Sequence, residues 1–257
     1  MFAAREFEST VSRAAEFVDR HGSRLDRARV AYRLRHEAPD HRLLARFSGG
    51  QLASGAWAAC WSRPHASIEG TCHALLQLGG LGAGDDLRAM RIEGAKFLLA
   101  NQQADGSWDE ITPGPRPPWL ADQLEARVYL TALAGSALVG VNGAAVRRAA
   151  EVLRRRFRTD GSLPGPIAAQ WLAARVLLTV GDDDLALAAL DPVVDVINDL
   201  DPAWLAWSAV TMPESNAAAR ARRQLVSRQR RDGGWSTDLG SVAEGEVAVV
   251  AIETMTS

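Results

Sequence analysis

Three times the chain writes a glutamine, three residues, a glycine, one residue and a tryptophan: Gln51–Gly55–Trp57, Gln102–Gly106–Trp108 and Gln229–Gly233–Trp235. A fourth copy is degraded, with Phe157, Gly161 and Leu163 at the same offsets. A recurring phrase of this kind makes the chain an array of similar units. The glycine permits the left-handed turn that ends a helix. The tryptophan can then fold back as an apolar lid, and the glutamine amide can reach free backbone groups at the helix end.

Apolar residues recur at helical spacing almost everywhere, and alternating strand patterns are absent. Glycine, proline and aspartate clusters punctuate the helices, and the one longer loop is Asp109 to Pro118. Five predicted helices are arginine- and alanine-rich and amphipathic: Phe2 to Asp19, Leu87 to Asn101, Ala144 to Phe157, Leu185 to Asn198 and Ala217 to Arg230. Five others are apolar on all sides: Ile68 to Leu78, Leu124 to Val139, Ile167 to Val180, Pro202 to Val210 and Val242 to Met255. A helix with one wet stripe belongs outside, and one apolar all round belongs inside. The two kinds alternate, and the weaker segments Arg24 to Arg35 and His41 to Gly50 bring the count to about six pairs. The expectation is an all-α protein, an α/α toroid (α6–α6 barrel) of alternating outer and inner helices formed by one domain over residues 1–257. An open solenoid of helix pairs shares the periodicity.

The fullest copy runs Gly94-Ala-Lys-Phe97-Leu98, three residues, Gln102, three residues, Gly106-Ser-Trp108. It resembles the QW repeat of squalene–hopene and oxidosqualene cyclases and of class II diterpene cyclases. The copy from Leu225 through Gln229 to Trp235 is similar, with Gln224 in place of the aromatic. The resemblance runs from about Leu44 to the end, and the prenyltransferase β subunits and lanthionine synthetases share the fold. It implies a barrel whose inner helices line a funnel. There a carboxylic acid protonates an alkene or epoxide of an isoprenoid, and aromatic rings stabilise the carbocations that follow.

The family's acid lies in a DxDD motif at the start of an inner helix. The nearest match is Asp199-Leu200-Asp201-Pro202, which places Asp201 as general acid with Asp199 orienting it. Pro202 stands where the motif's last aspartate would be, and Asp-Leu-Asp-Pro is also an ordinary helix start, an N-cap followed by proline at the first helical position. Glu69, Glu125 and Glu246 begin other inner helices and would ring one mouth of a barrel, or simply complement the helix dipoles. Trp204 and Trp207 share a face one turn after Asp201. With Trp171, Tyr129, His73, Glu69 and Glu125 they are the expected substrate-binding set. A well-filled core is the alternative use for such aromatics.

Two cysteines make no disulfide framework. Cys60, Cys72 and His73 resemble the zinc ligands of other toroid families, but adjacent residues on a helix point about 100° apart, so Cys72 and His73 cannot easily both ligate. A buried cysteine as a small hydrophobe is the plainer reading. No metal is expected for protonation, and Mg²⁺ would assist only if the substrate carries a diphosphate. A net charge of −2 offers nothing to nucleic acid or an anionic membrane. No apolar run reaches the length of a membrane span, and the charged opening residues do not form a secretion signal, so a cytoplasmic setting is expected. Three functional classes follow. One is a class II terpene cyclase-like enzyme. Another is a non-catalytic module for a hydrophobic ligand or for a partner in a homo- or hetero-oligomer. The third is a zinc enzyme related to the prenyltransferases or lanthionine synthetases.

Overall fold

The computed structural model describes residues 2–113, 116–197, 200–211, 215–238 and 240–256. Among them are twelve α-helices, one short 3-10 turn and no strand, so the chain is all-α. The helices form two compact units, one of residues 1–40 with 193–257 and the other of residues 41–192.

The second unit contains α3 (His41–Gly50), α4 (Ile68–Gly79), α5 (Asp85–Ala100), α6 (Gln123–Ala137), α7 (Gly143–Arg154) and α8 (Ile167–Thr179), and α9 (Asp183–Val196) starts in it. The helix α6 packs on α4, α7 and α8, and α5 packs on α3 and α4. Sorting by apolar pattern matches burial. In α6 nine consecutive residues are buried, Val128–Ser136, and in α8 six, Ala169–Ala174, whereas α7 buries only the stripe Ala145, Val146, Ala149, Ala150, Val152 and Leu153.

The first unit joins the two ends of the chain. In it α1 (Phe2–His21) and α2 (Arg24–Arg35) pack on α12 (Ser241–Met255), and α10 (Pro202–Thr211) packs on α11 (Asn216–Arg228) and α12. Its core gathers Phe17, Val18, Leu205, Leu225, Trp235 and Ile252. A bidentate ion pair from Arg29 to Glu253, at 2.9 Å and largely out of water, ties α2 to α12.

Each copy of the phrase builds the same joint. The glutamine Nε2 donates to the carbonyl of its own glycine at 2.9 Å in all three copies. It also donates to a carbonyl of another helix: Met90 on α5, Ala145 on α7 and Thr10 on α1, at 3.0, 3.1 and 2.9 Å. The expected helix-end contact is therefore a bridge between helices. The tryptophan Nε1 donates to the carbonyl ten residues earlier, on Phe47, Leu98 and Leu225, at 3.0, 2.7 and 2.7 Å. Those carbonyls lie in the last four of their helices, where the regular ladder runs out, and Leu98 also accepts from the Asn101 amide at 3.2 Å. The indole thus caps the helix it folds against, and all three rings are buried. In the degraded copy Leu163 is buried instead, and its backbone is clasped by the Gln170 amide at 3.1 and 2.8 Å.

Candidate active site

The N-terminus of α4 carries two buried carboxylates. Glu110, 4% exposed, follows the second phrase and reaches back to this helix start. Its oxygens accept from the Ile68 and Glu69 amides at 3.1 and 3.2 Å and from Ser67 Oγ at 2.9 Å. Thr112 Oγ1 and the Ile111 amide add two more bonds, each at 3.0 Å. Donors from α4 and its positive dipole end make Glu110 a fixed negative cap. Ser67 is the N-cap residue itself, accepting from the Gly70 amide.

Glu69, in the first turn of α4, points elsewhere. It is 5% exposed. Trp61 Nε1 donates to its Oε2 at 2.7 Å, and Trp119 Nε1 donates to its Oε1 at 2.8 Å. The Tyr129 hydroxyl lies 3.4 Å from the same Oε1 and 3.5 Å from His73 Nε2. Tyr129 comes from the middle of α6, and His73 is one turn after Glu69 on α4. Trp119 sits on the 3-10 turn Pro118–Leu120 and is 47% exposed, so it stands between Glu69 and the solvent. Burial, and then the charge of Glu69, raise the Tyr129 phenol well above its ordinary range. Burial does the same for the Cys72 thiol, reinforced by Glu110 and Glu69.

Of the expected site residues, the structure brings together Glu69, Tyr129 and His73. Trp171 is buried on α8, in the same unit. Glu125 is exposed in the first turn of α6, where Asp122 caps its amide at 2.8 Å. Nearby is an open depression of about 400 Å³ lined by Asp122, Gln123, Leu124, Arg127 and Arg156. Asp201 lies in the other unit. Its Oδ1 accepts from the Ala203 amide at 2.8 Å and from Thr237 Oγ1 at 2.7 Å, and its Oδ2 from the Asp238 amide at 2.7 Å. It caps α10, with Pro202 at the first helical position, and anchors the segment after the third phrase. Trp204 and Trp207 are half-buried on α10. Asp199 lies outside the described residues. Cys60 is exposed and Cys72 buried, and among the described residues no group of His, Cys, Asp or Glu side chains is placed to hold a metal. Nor is any described helix long and apolar enough to cross a membrane.

Trp61, Glu110 and Trp119 were not visible as site residues in the sequence. Their signal is positional. All three lie in the segments joining α3 to α4 and α5 to α6, and functional side chains concentrate in loops held by a rigid scaffold.

Among solved structures, the fold of this chain is similar to that of type II terpene cyclases. Superposed on a variant of MstE, a type II terpene cyclase from Scytonema in complex with geranylgeranyl dihydroxybenzoate, it gives a TM-score of 0.67 at 13% identity, covering 100% of this chain and 99% of that one. A second MstE variant, bound to the product merosterolic acid A, gives 0.57 at 13% identity over 98% and 96%. A protein from Actinoplanes gives 0.59 at 19% identity over 97% and 98%. No protein-family model matches the chain, and no curated protein sequence matches it.

Proposed function

We propose that the chain is a class II terpene cyclase-like enzyme that binds an isoprenoid chain and starts its cyclisation by protonation. The observation that carries this reading is Glu69: a carboxyl group closed off from water and framed by Trp61, Trp119 and Tyr129, within the fold of the type II terpene cyclases. Proton transfer to an alkene needs a carboxyl group sheltered from water, and the cation that results needs aromatic faces near it. The MstE structures hold a geranylgeranyl aromatic acid, and a substrate of that class suits this chain. The QW resemblance assigns Asp201, with Asp199, as the acid pair, and Trp204 and Trp207 as wall residues beside Asp201 in the same unit; Trp171 belongs to the unit of Glu69. Protonation itself requires no metal. Mg²⁺ would serve only to neutralise a diphosphate headgroup.

The cap bonds of Asp201 favour one second reading, in which the chain binds a hydrophobic ligand or a partner without turning it over. Incubation with geranylgeranyl dihydroxybenzoate and with geranylgeranyl diphosphate separates the two. The enzyme yields products of unchanged mass and shifted retention. A binding module quenches its tryptophan fluorescence with the ligand and returns it unaltered.

A further inference from the structure

We propose that Glu69 is the group that hands the proton to the substrate, and that Tyr129 and His73 are the path by which it is reloaded. This rests on the cyclase reading above and names its donor. Three carboxyl groups compete for the role, and their partners separate them. Glu110 is occupied by the α4 amides, Ser67, Ile111 and Thr112. Asp201 is half-exposed, and its oxygens are taken up in capping α10 and holding the segment at Thr237 and Asp238. Glu69 is buried and touches three aromatic residues. It alone among these is followed by a hydroxyl and then an imidazole, at 3.4 and 3.5 Å. A hydroxyl both accepts and donates, so the three groups form a continuous chain from the closed carboxyl to a histidine that is only half-buried.

The step balances without a co-reactant. The O–H bond of Glu69 breaks as the π pair of the terminal alkene forms a new C–H bond, leaving a carboxylate and a tertiary carbocation. Ring closure consumes that cation. Loss of a proton from a product carbon to water ends the reaction, and the substrate is isomerised overall. Glu69 then takes the phenolic proton of Tyr129 while Tyr129 takes the Nε2 proton of His73, and His73 regains one from water. The Tyr129 phenol, held neutral by burial and by the charge of Glu69, passes the proton on without ionising.

Rapid-quench turnover of geranylgeranyl dihydroxybenzoate by the full chain tests the assignment. Glu69→Gln is expected to lower the first-turnover rate by about 100-fold or more, and further than Asp201→Asn does. Tyr129→Phe and His73→Asn are expected to slow later turnovers about tenfold or more beyond any effect on the first, a split that a merely structural role would not produce. A folded Glu69→Gln variant with wild-type turnover overturns the proposal, as does a deeper loss in Asp201→Asn. If Glu69→Gln does not fold, the two relay variants decide: equal slowing of first and later turnovers overturns it. A wild-type chain that cyclises neither this substrate nor geranylgeranyl diphosphate removes the cyclase reading itself, and the donor assignment with it.

Discussion

At Gly106 the backbone has φ +97°, and a Cβ there would lie 2.7 Å from the Arg148 carbonyl oxygen on α7. At Gly233 the clash is with the Arg13 carbonyl on α1, at 2.1 Å. Left-handed backbone and close approach act together, so alanine at either position strains the turn and pushes two helices apart. Gly106→Ala is expected to destabilise by about 2 kcal/mol or more in urea melts. By contrast Gly161, in the copy that lacks glutamine and tryptophan, has the Ala188 carbonyl 3.5 Å from the built Cβ. Gly161→Ala therefore meets the backbone strain alone and costs less. The cysteines offer a second check on the site. Burial and the charges of Glu110 and Glu69 hold the Cys72 thiol neutral, while Cys60 is exposed. A thiol reagent at mildly alkaline pH should label one cysteine quickly in the native chain and two after denaturation. Rapid labelling of both would mean that the surroundings of Cys72 and Glu69 are open to water.

Helices and turns show what could be read from the residues and what could not. Ten of the twelve described α-helices were plain in the apolar pattern, because burial on one face or on all faces leaves a direct imprint on sequence, while α2 and α3 were legible only as weaker segments. The phrase turns were equally plain, since only glycine suits their backbone. Trp119 and Glu110 were not, because both act across space on α4 from a loop whose own composition, rich in proline, speaks only of irregular backbone. Asp201 shows the converse difficulty. One short run, Asp-Leu-Asp-Pro, fits an acid motif and a helix cap alike, and its hydrogen bonds are those of a cap. Removing it in Asp201→Ala should cost about 1 kcal/mol in stability. The phrase turns also carry an acid-sensitive element. Asp105 and Asp160 bond first to their serines, Ser107 and Ser162, and Asp232 to Arg230, and all three are thereby held below the ordinary aspartate range. A carboxylate lowered in the folded state adds stability above its unfolded pKa, and that stability is lost as pH falls through the lowered value. The melting-temperature gap between wild type and an Asp105→Ala, Asp160→Ala, Asp232→Ala variant should therefore be full near about pH 6 and shrink below about pH 4. A gap independent of pH would contradict the assignment.

For the whole molecule, the repeat and the chemistry occupy different residues. Gln51, Gln102 and Gln229 stitch neighbouring helices together through carbonyls, and Trp57, Trp108 and Trp235 close helix ends. None of the six contacts Glu69 through a hydrogen bond. The Gln229 bridge to Thr10 joins the last phrase to the first helix. Gln229→Ala should thus lower hydrogen-exchange protection across α1 while leaving turnover unchanged. The central claim, that a carboxyl group of this chain protonates an isoprenoid alkene, leaves an isotopic mark. Turnover of geranylgeranyl dihydroxybenzoate in D₂O should give a cyclised product bearing one carbon-bound deuterium at the site of protonation, by mass spectrometry and ²H NMR. Cyclised product without carbon-bound deuterium, or substrate recovered unchanged, would contradict it.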